Sequence, residues 1–124
     1  VLVVEDVVAM RTRIKDLCRE IGFKEVATAA NGVAAQVVLD LEDIHLILAD
    51  WYMDPGSGME LLKQVRSNPR LSQCAFVMVT AENTREKVIE AIKAGVDDYL
   101  VKPVTAAQLQ SKVIAALVKR GVLG

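Results

Sequence analysis

The sequence predicts an α/β fold: a doubly wound, five-stranded parallel sheet with helices on both faces. Three observations point there. Short apolar runs rich in β-branched residues alternate with segments whose apolar residues recur every three or four positions, the change of period that separates strands from helices. Aromatics make up 4% of a chain that is 52% apolar, so Val, Leu, Ile and Ala must build the core. Four of the apolar runs stop at residues that carry charge or bind phosphate: Glu5-Asp6, Asp50, Thr80 and Lys102. Strict alternation implies a parallel sheet covered on both faces. Right-handed crossovers then favour strand order 2-1-3-4-5, with the switch point between the first and third runs.

Val1 to Glu5 reads as a strand buried on both faces. Met10, Ile14, Leu17, Cys18 and Ile21 follow at helical spacing, stopped by Gly22 as C′ residue. Glu25 to Ala29 is a weaker strand, and Asn31-Gly32 leads into a helix carrying Val33, Ala34, Val37, Val38 and Leu41. Leu46 to Asp50 is the third strand. Ser57-Gly58-Met59-Glu60 has the capping-box pattern and opens a helix with Leu61, Leu62 and Val65, ending before Asn68-Pro69. Ala75 to Thr80 is the fourth strand, and Asn83 with Glu86 is a cap and N3 pair for a helix reaching Ala94-Gly95. Tyr99 to Val101 forms the last strand, and Thr105 to Gln108 caps a helix with Leu109, Val113, Ile114 and Leu117.

At 124 residues, one domain spanning 1–124 is expected, without repeat, linker or second output domain. The opening inside a strand-like run suggests that a few upstream residues are missing. A net charge of −1 gives no field to draw the chain to nucleic acid or an anionic membrane, and the few aromatics leave little for stacking on bases. No apolar run approaches the roughly 18 to 20 residues of a membrane span. Cys18, Cys74 and the single histidine, His45, are too few soft ligands for a structural zinc site. The cysteines read as free thiols, which suits a reducing cytoplasm.

Open α/β sheets bind ligands beyond the carboxyl ends of their strands. Glu5, Asp6 and Asp50 would therefore meet, a costly cluster unless a cation neutralises it. Mg²⁺ suits such a site, being hard, octahedral and held by carboxylates, water and phosphate oxygens. Asp50, central at that edge, is the candidate nucleophile for an acyl phosphate. Lys102 would supply fixed positive charge and Thr80 a hydroxyl donor to phosphoryl oxygens. Taken singly, Asp50 or Thr80 would be a turn or cap residue and Lys102 a solvated lysine. Joint placement at several strand ends is what makes them a site.

Glu5-Asp6, Asp50 followed by Met53 and Gly58, Thr80-Ala81, Tyr99 and Lys102-Pro103 together resemble the receiver domain of bacterial two-component response regulators. Asp50-Trp51, Met10-Arg11, Met78 to Glu82 and Lys102-Pro103 look most like its stand-alone chemotaxis-type members. The resemblance implies a flavodoxin-like fold that takes a phosphoryl group from the phosphohistidine of a sensor histidine kinase onto Asp50. Asp6, Asp50 and the Tyr52 carbonyl would ligate Mg²⁺, with Glu5 acting through a water. Thr80 would move toward the phosphoryl group and Tyr99 would swing from an exposed to a buried rotamer. The surface from Thr84 to Gly95 and Tyr99 to Gln110 would change with it, read by a downstream protein such as the flagellar motor switch. It further implies a cytoplasmic monomer or transient dimer, a cis Lys102-Pro103 bond, and self-phosphorylation with slow self-dephosphorylation as the only activity.

Three positions depart from the family pattern. Proline comes one place late in Met53-Asp54-Pro55-Gly56, with Asp54 expected to face solvent; Val104 replaces a frequent Phe; and bulky Tyr52 follows two residues after Asp50. Tyr52 and Glu82 would flank the path of the hydrolytic water and slow dephosphorylation. Three alternatives stand beside the switch: the excised receiver of a transcriptional regulator or hybrid kinase, an aspartate-nucleophile phosphatase, and a flavin or nucleotide binder. The phosphatase normally has an acid where Tyr52 stands, and the nucleotide binder lacks a glycine-rich loop after the first strand.

Overall fold

The computed structural model describes residues 1–123. Gly124, the last residue of the domain expected from the sequence, lies outside the described residues. The elements run β1 (Leu2–Val4), α1 (Val8–Glu20), β2 (Ala27–Ala29), α2 (Gly32–Leu41), β3 (Leu46–Ala49), α3 (Gly58–Ser67), β4 (Ala75–Thr80), α4 (Arg85–Ala94), β5 (Asp98–Val101) and α5 (Ala106–Lys119). All strand pairs are parallel and the order is β2-β1-β3-β4-β5, the predicted fold class. Register pairs Val4 with Ala49, Ala49 with Met78, and Thr80 with Val101. The residues that end β1, β3, β4 and β5 consequently share one edge.

Alternate strand residues face opposite layers. Leu2, Val4, Ile47, Ala49, Phe76 and Met78 pack with Leu39, Leu61, Leu62, Val65 and Ala91 from α2, α3 and α4. Val3, Leu46, Leu48, Val77 and Val79 pack with Ile14, Leu17, Leu109, Val113 and Leu117 from α1 and α5. The three strands β1, β3 and β4 are buried throughout, which is why they read as unbroken apolar runs. β2, at the sheet's edge with Thr28 exposed, is shorter than the Glu25 to Ala29 run.

Local signals set most helix ends. Gly22 (φ 115°) and Gly95 (φ 102°) follow α1 and α4 in the left-handed region that glycine reaches without strain. Asn31 Oδ1 accepts from Ala34 N–H at 2.8 Å, Ser57 Oγ from Glu60 N–H at 3.1 Å, and Thr105 and Gln108 form a reciprocal capping box. The Asn83 and Glu86 pair does not form. α4 begins at Arg85 with Thr84 in the N-cap position and no side-chain cap, so Asn83 lies one residue too early to reach the first turn. Lys102-Pro103 is cis, as the resemblance implied, and so is Asp54-Pro55. Cys18 and Cys74 are free and buried, and burial pushes both thiols up to about 11.

Opposite the carboxyl edge, the fully buried Asp97 carboxylate accepts from Arg66 at 3.0 Å, Arg120 at 2.8 Å and Phe76 N–H at 2.9 Å. Arg66 also donates to the carbonyls of Gly95 (2.9 Å), Ser72 (3.0 Å) and Cys74 (2.6 Å). This knot ties α3, the ends of α4 and α5, and the start of β4 together. No helix among the described residues is long and apolar enough to cross a membrane.

Candidate functional site

Each site residue sits where a strand runs out. Glu5 leaves β1 with its amide bonded to the Ala29 carbonyl, and Asp50 leaves β3 with its amide bonded to the Val4 carbonyl. Lys102 leaves β5 with its amide on the Thr80 carbonyl. Main-chain pairing thus fixes these side chains before their own contacts are counted. Carboxylate oxygens of Glu5, Asp6 and Asp50 come within 4.8 Å of one another.

Lys102 Nζ bridges two of the three acids, donating to Asp50 Oδ2 at 2.8 Å and to Glu5 Oε1. Glu5 is fully buried, and Asp6 is exposed with its amide on Glu5 Oε2. One ammonium cannot neutralise both buried acids. Burial raises the Glu5 carboxyl to about 7, with Asp50 adding to the rise and Lys102 opposing it. Burial acts most strongly on Asp50 and pushes it up, but Lys102, Thr80 and Glu5 together outweigh burial and hold that carboxyl below its ordinary value. Asp50 is therefore the ionised member of the pair and Glu5 the one that titrates near neutrality.

Asp50 Oδ1 is buried and without a hydrogen-bond partner. A buried carboxylate oxygen left so is costly, and its carboxylate together with those of Glu5 and Asp6 makes the donor set of a hard, oxygen-seeking cation. The residues present fit a divalent metal.

Thr80 is fully buried and its Oγ1 accepts from Glu82 N–H at 3.2 Å. Glu82 links two tyrosines: its carboxylate accepts from the exposed Tyr52 hydroxyl at 2.7 Å and its carbonyl from the Tyr99 hydroxyl at 2.8 Å. Tyr99 is half-buried, and burial, then the nearby Glu82 charge, pushes its phenol up to about 12. The structure thus holds Tyr99 turned inward. Asp54 faces solvent, and Val104 is buried beneath the α5 layer.

Periodicity gave no sign of three further contributors. Arg11 donates to the Glu5 carbonyl at 2.8 Å, steadying the acidic turn. A Cβ on Gly58 would lie 2.1 Å from the Asp50 carbonyl oxygen, so only glycine lets α3 start against the strand end. Lys87 of α4 lies 5.2 Å from the centre of the Trp51 ring. The Met10-Arg11 pair and the Met53 to Gly58 spacing mark Arg11 and Gly58 in the sequence, and nothing there marks Lys87.

The family model described as "Response regulator receiver domain" matches residues 1–114. The chain is 40% identical over 112 residues to chemotaxis protein CheY-3 of Vibrio cholerae, covering 90% of this chain and 86% of that protein. It is 41% identical over 113 residues to chemotaxis protein CheY of Pseudomonas aeruginosa, covering 91% of each. Among solved structures, V. cholerae CheY4 superposes with a TM-score of 0.87 at 28% identity over 94% of this chain and 96% of that one. A CheY-like receiver domain protein from Methanospirillum hungatei gives 0.87 at 27% identity, over 99% and 96% respectively.

Proposed function

This chain belongs to the response regulator receiver family, and from that premise we propose that it is a phosphorylation-activated switch of two-component signalling, serving chemotaxis. The observation that carries the reading is Asp50: ionised, bound to Lys102 on one oxygen and buried without a partner on the other. That second oxygen is the one available to a cation or an incoming phosphorus. The Asp50 carboxylate attacks the phosphorus of a phosphohistidine, the P–N bond breaks, and the imidazole leaves with its electron pair. Glu5, Asp6 and Asp50, with the Tyr52 carbonyl, would hold Mg²⁺, Glu5 through a water, and the ion supplies charge neutralisation at the phosphoryl oxygens. Lys102 keeps its charge on the same oxygens, and Thr80 donates its hydroxyl to one of them.

Loss of the Thr80 Oγ1 contact to Glu82 N–H then frees the loop that holds Tyr99. Thr80 and Tyr99 are in this reading the moving parts, and the face from Thr84 to Gly95 and Tyr99 to Gln110 is what a downstream protein reads. The kinase is a sensor histidine kinase and the target a flagellar motor switch component, met in the cytoplasm by a monomer or transient dimer. Catalytic turnover of outside substrates is not part of the role, since Tyr52 stands where a phosphatase has its acid.

Acetyl phosphate with Mg²⁺ supplies the direct test. Wild type should take up acid-labile phosphate, and Asp50→Asn should take up none; undiminished labelling of Asp50→Asn would refute the reading. The Tyr52 hydroxyl is bonded to Glu82, and this pair, flanking the path of the hydrolytic water, is our ground for slow hydrolysis of the aspartyl phosphate. Tyr52→Asn should shorten its lifetime several-fold in a phosphate-release assay.

A further inference from the structure

α4 is the most loosely held helix of the fold. Ala91 is its one fully buried residue, against three or more in every other helix, and its N-terminus, like that of α1, has no side-chain cap, whereas Asn31, Ser57 and Thr105 cap α2, α3 and α5. At its C-terminal end, Arg66 Nε donates to the Gly95 carbonyl at 2.9 Å and the Asp97 knot follows. That end is fixed. At the other end Lys87, third residue of the helix, lies over the Trp51 ring at 5.2 Å. A cation in the first turn works against the helix dipole, and among the described residues the only carboxylate paired with Lys87 is that of Glu90, at 3.7 Å. The ring, by contrast, belongs to the residue that directly follows Asp50 and is 5% exposed.

We infer that Lys87 is a positioning residue for the switch: its ammonium on Trp51 holds the first turn of α4 to the residue beside the phosphoacceptor, so that α4 pivots about its Arg66-clamped end. Asp50 thereby reaches α4 by a path separate from Thr80 and Tyr99. The tie is present together with the inward Tyr99 and its bond to the Glu82 carbonyl, so it favours that arrangement. This inference rests on the switch reading above.

The test uses Lys87→Gln, Lys87→Arg and wild type. Hydrogen exchange is followed by NMR at the amides of Val88 to Ala91, which close the first bonds of α4. Beryllofluoride with Mg²⁺, a phosphoryl mimic, is titrated through the emission of Trp51, the chain's one tryptophan. A cation over an aromatic ring at a partly exposed site favours the tied state by about two- to fivefold. Lys87→Gln should speed exchange in α4 by about that factor, leave strand amides unchanged, and raise the beryllofluoride midpoint similarly; Lys87→Arg should restore both. If wild type responds to beryllofluoride and Lys87→Gln matches it in exchange and midpoint, the inference is overturned. A wild type with no response to beryllofluoride instead sinks the switch reading, and this inference with it.

Discussion

Glu5 and Asp50 share one lysine, and the sharing is unequal. Asp50 keeps its charge because Lys102, Thr80 and Glu5 together outweigh its burial, while Glu5, more deeply enclosed, is raised to about 7. A folded-state carboxyl raised above its ordinary value holds a proton that the unfolded chain releases. Stability therefore falls as pH rises from about 4.5, the ordinary value, to about 7, and levels off above. Asp50, being lowered, loses its contribution only below its ordinary value of 3.8, and Lys102, being raised, only above 10.5, so neither acts in this interval. With a chelator present, thermal melts should give a lower Tm at pH 7.5 than at pH 5. Glu5→Gln should flatten that slope, because the amide has no proton to release. Equal slopes in the two proteins would show that Glu5 is not the titrating group.

Elements owe their orientation to contacts of quite different strength. Asp97 is fully buried among Arg66, Arg120 and the Phe76 amide. Asp97→Ala leaves two half-buried guanidinium groups without their counter-charge and should cost about 3–5 kcal/mol in urea unfolding. Lys112, its side chain 43% exposed and its partner Asp98 half-buried at 3.3 Å, is a contrast: Lys112→Ala should cost less than about 1 kcal/mol. The five strands and five helices were legible because burial on both faces writes unbroken apolar runs and burial on one face writes a 3.6-residue period. Ser57 and Thr105 were legible as caps because capping is a contact within three residues, and the Asn31 cap showed only as an Asn-Gly entry to its helix. Asn83 misled because cap chemistry is common just outside helices, and a one-residue offset removes the bond. The Arg66–Asp97 pair spans 31 residues in sequence, and no local pattern carries such a contact. The same holds for Lys87 over Trp51, whereas Glu5, Asp6, Asp50, Thr80 and Lys102 were readable from their positions at strand ends.

At the scale of the molecule, the switch proposal requires an edge site and an output face to share one cooperative unit. Ile89 and Ile92 of α4 and Val101 of β5 stay exposed on that face, in and beside the helix with the fewest buried residues of its own. The acidic edge is where these strands end, and Val101 lies there too, paired with Thr80 in the register that aligns β4 and β5. Domains of this size generally unfold as one unit, so a cation held at the edge should stabilise the whole chain. At a hundred times its dissociation constant, Mg²⁺ would add about 2.7 kcal/mol, a rise in Tm of roughly 10 °C for a domain of this length. Asp6 separates metal binding from folding. It is exposed, and only its backbone amide is engaged, with Glu5, so Asp6→Ala should melt like wild type in chelator and gain little from Mg²⁺. Calorimetry with and without Mg²⁺ checks this directly. An Asp6→Ala protein stabilised as strongly as wild type would take Asp6 out of the metal site and leave the cation to Glu5 and Asp50.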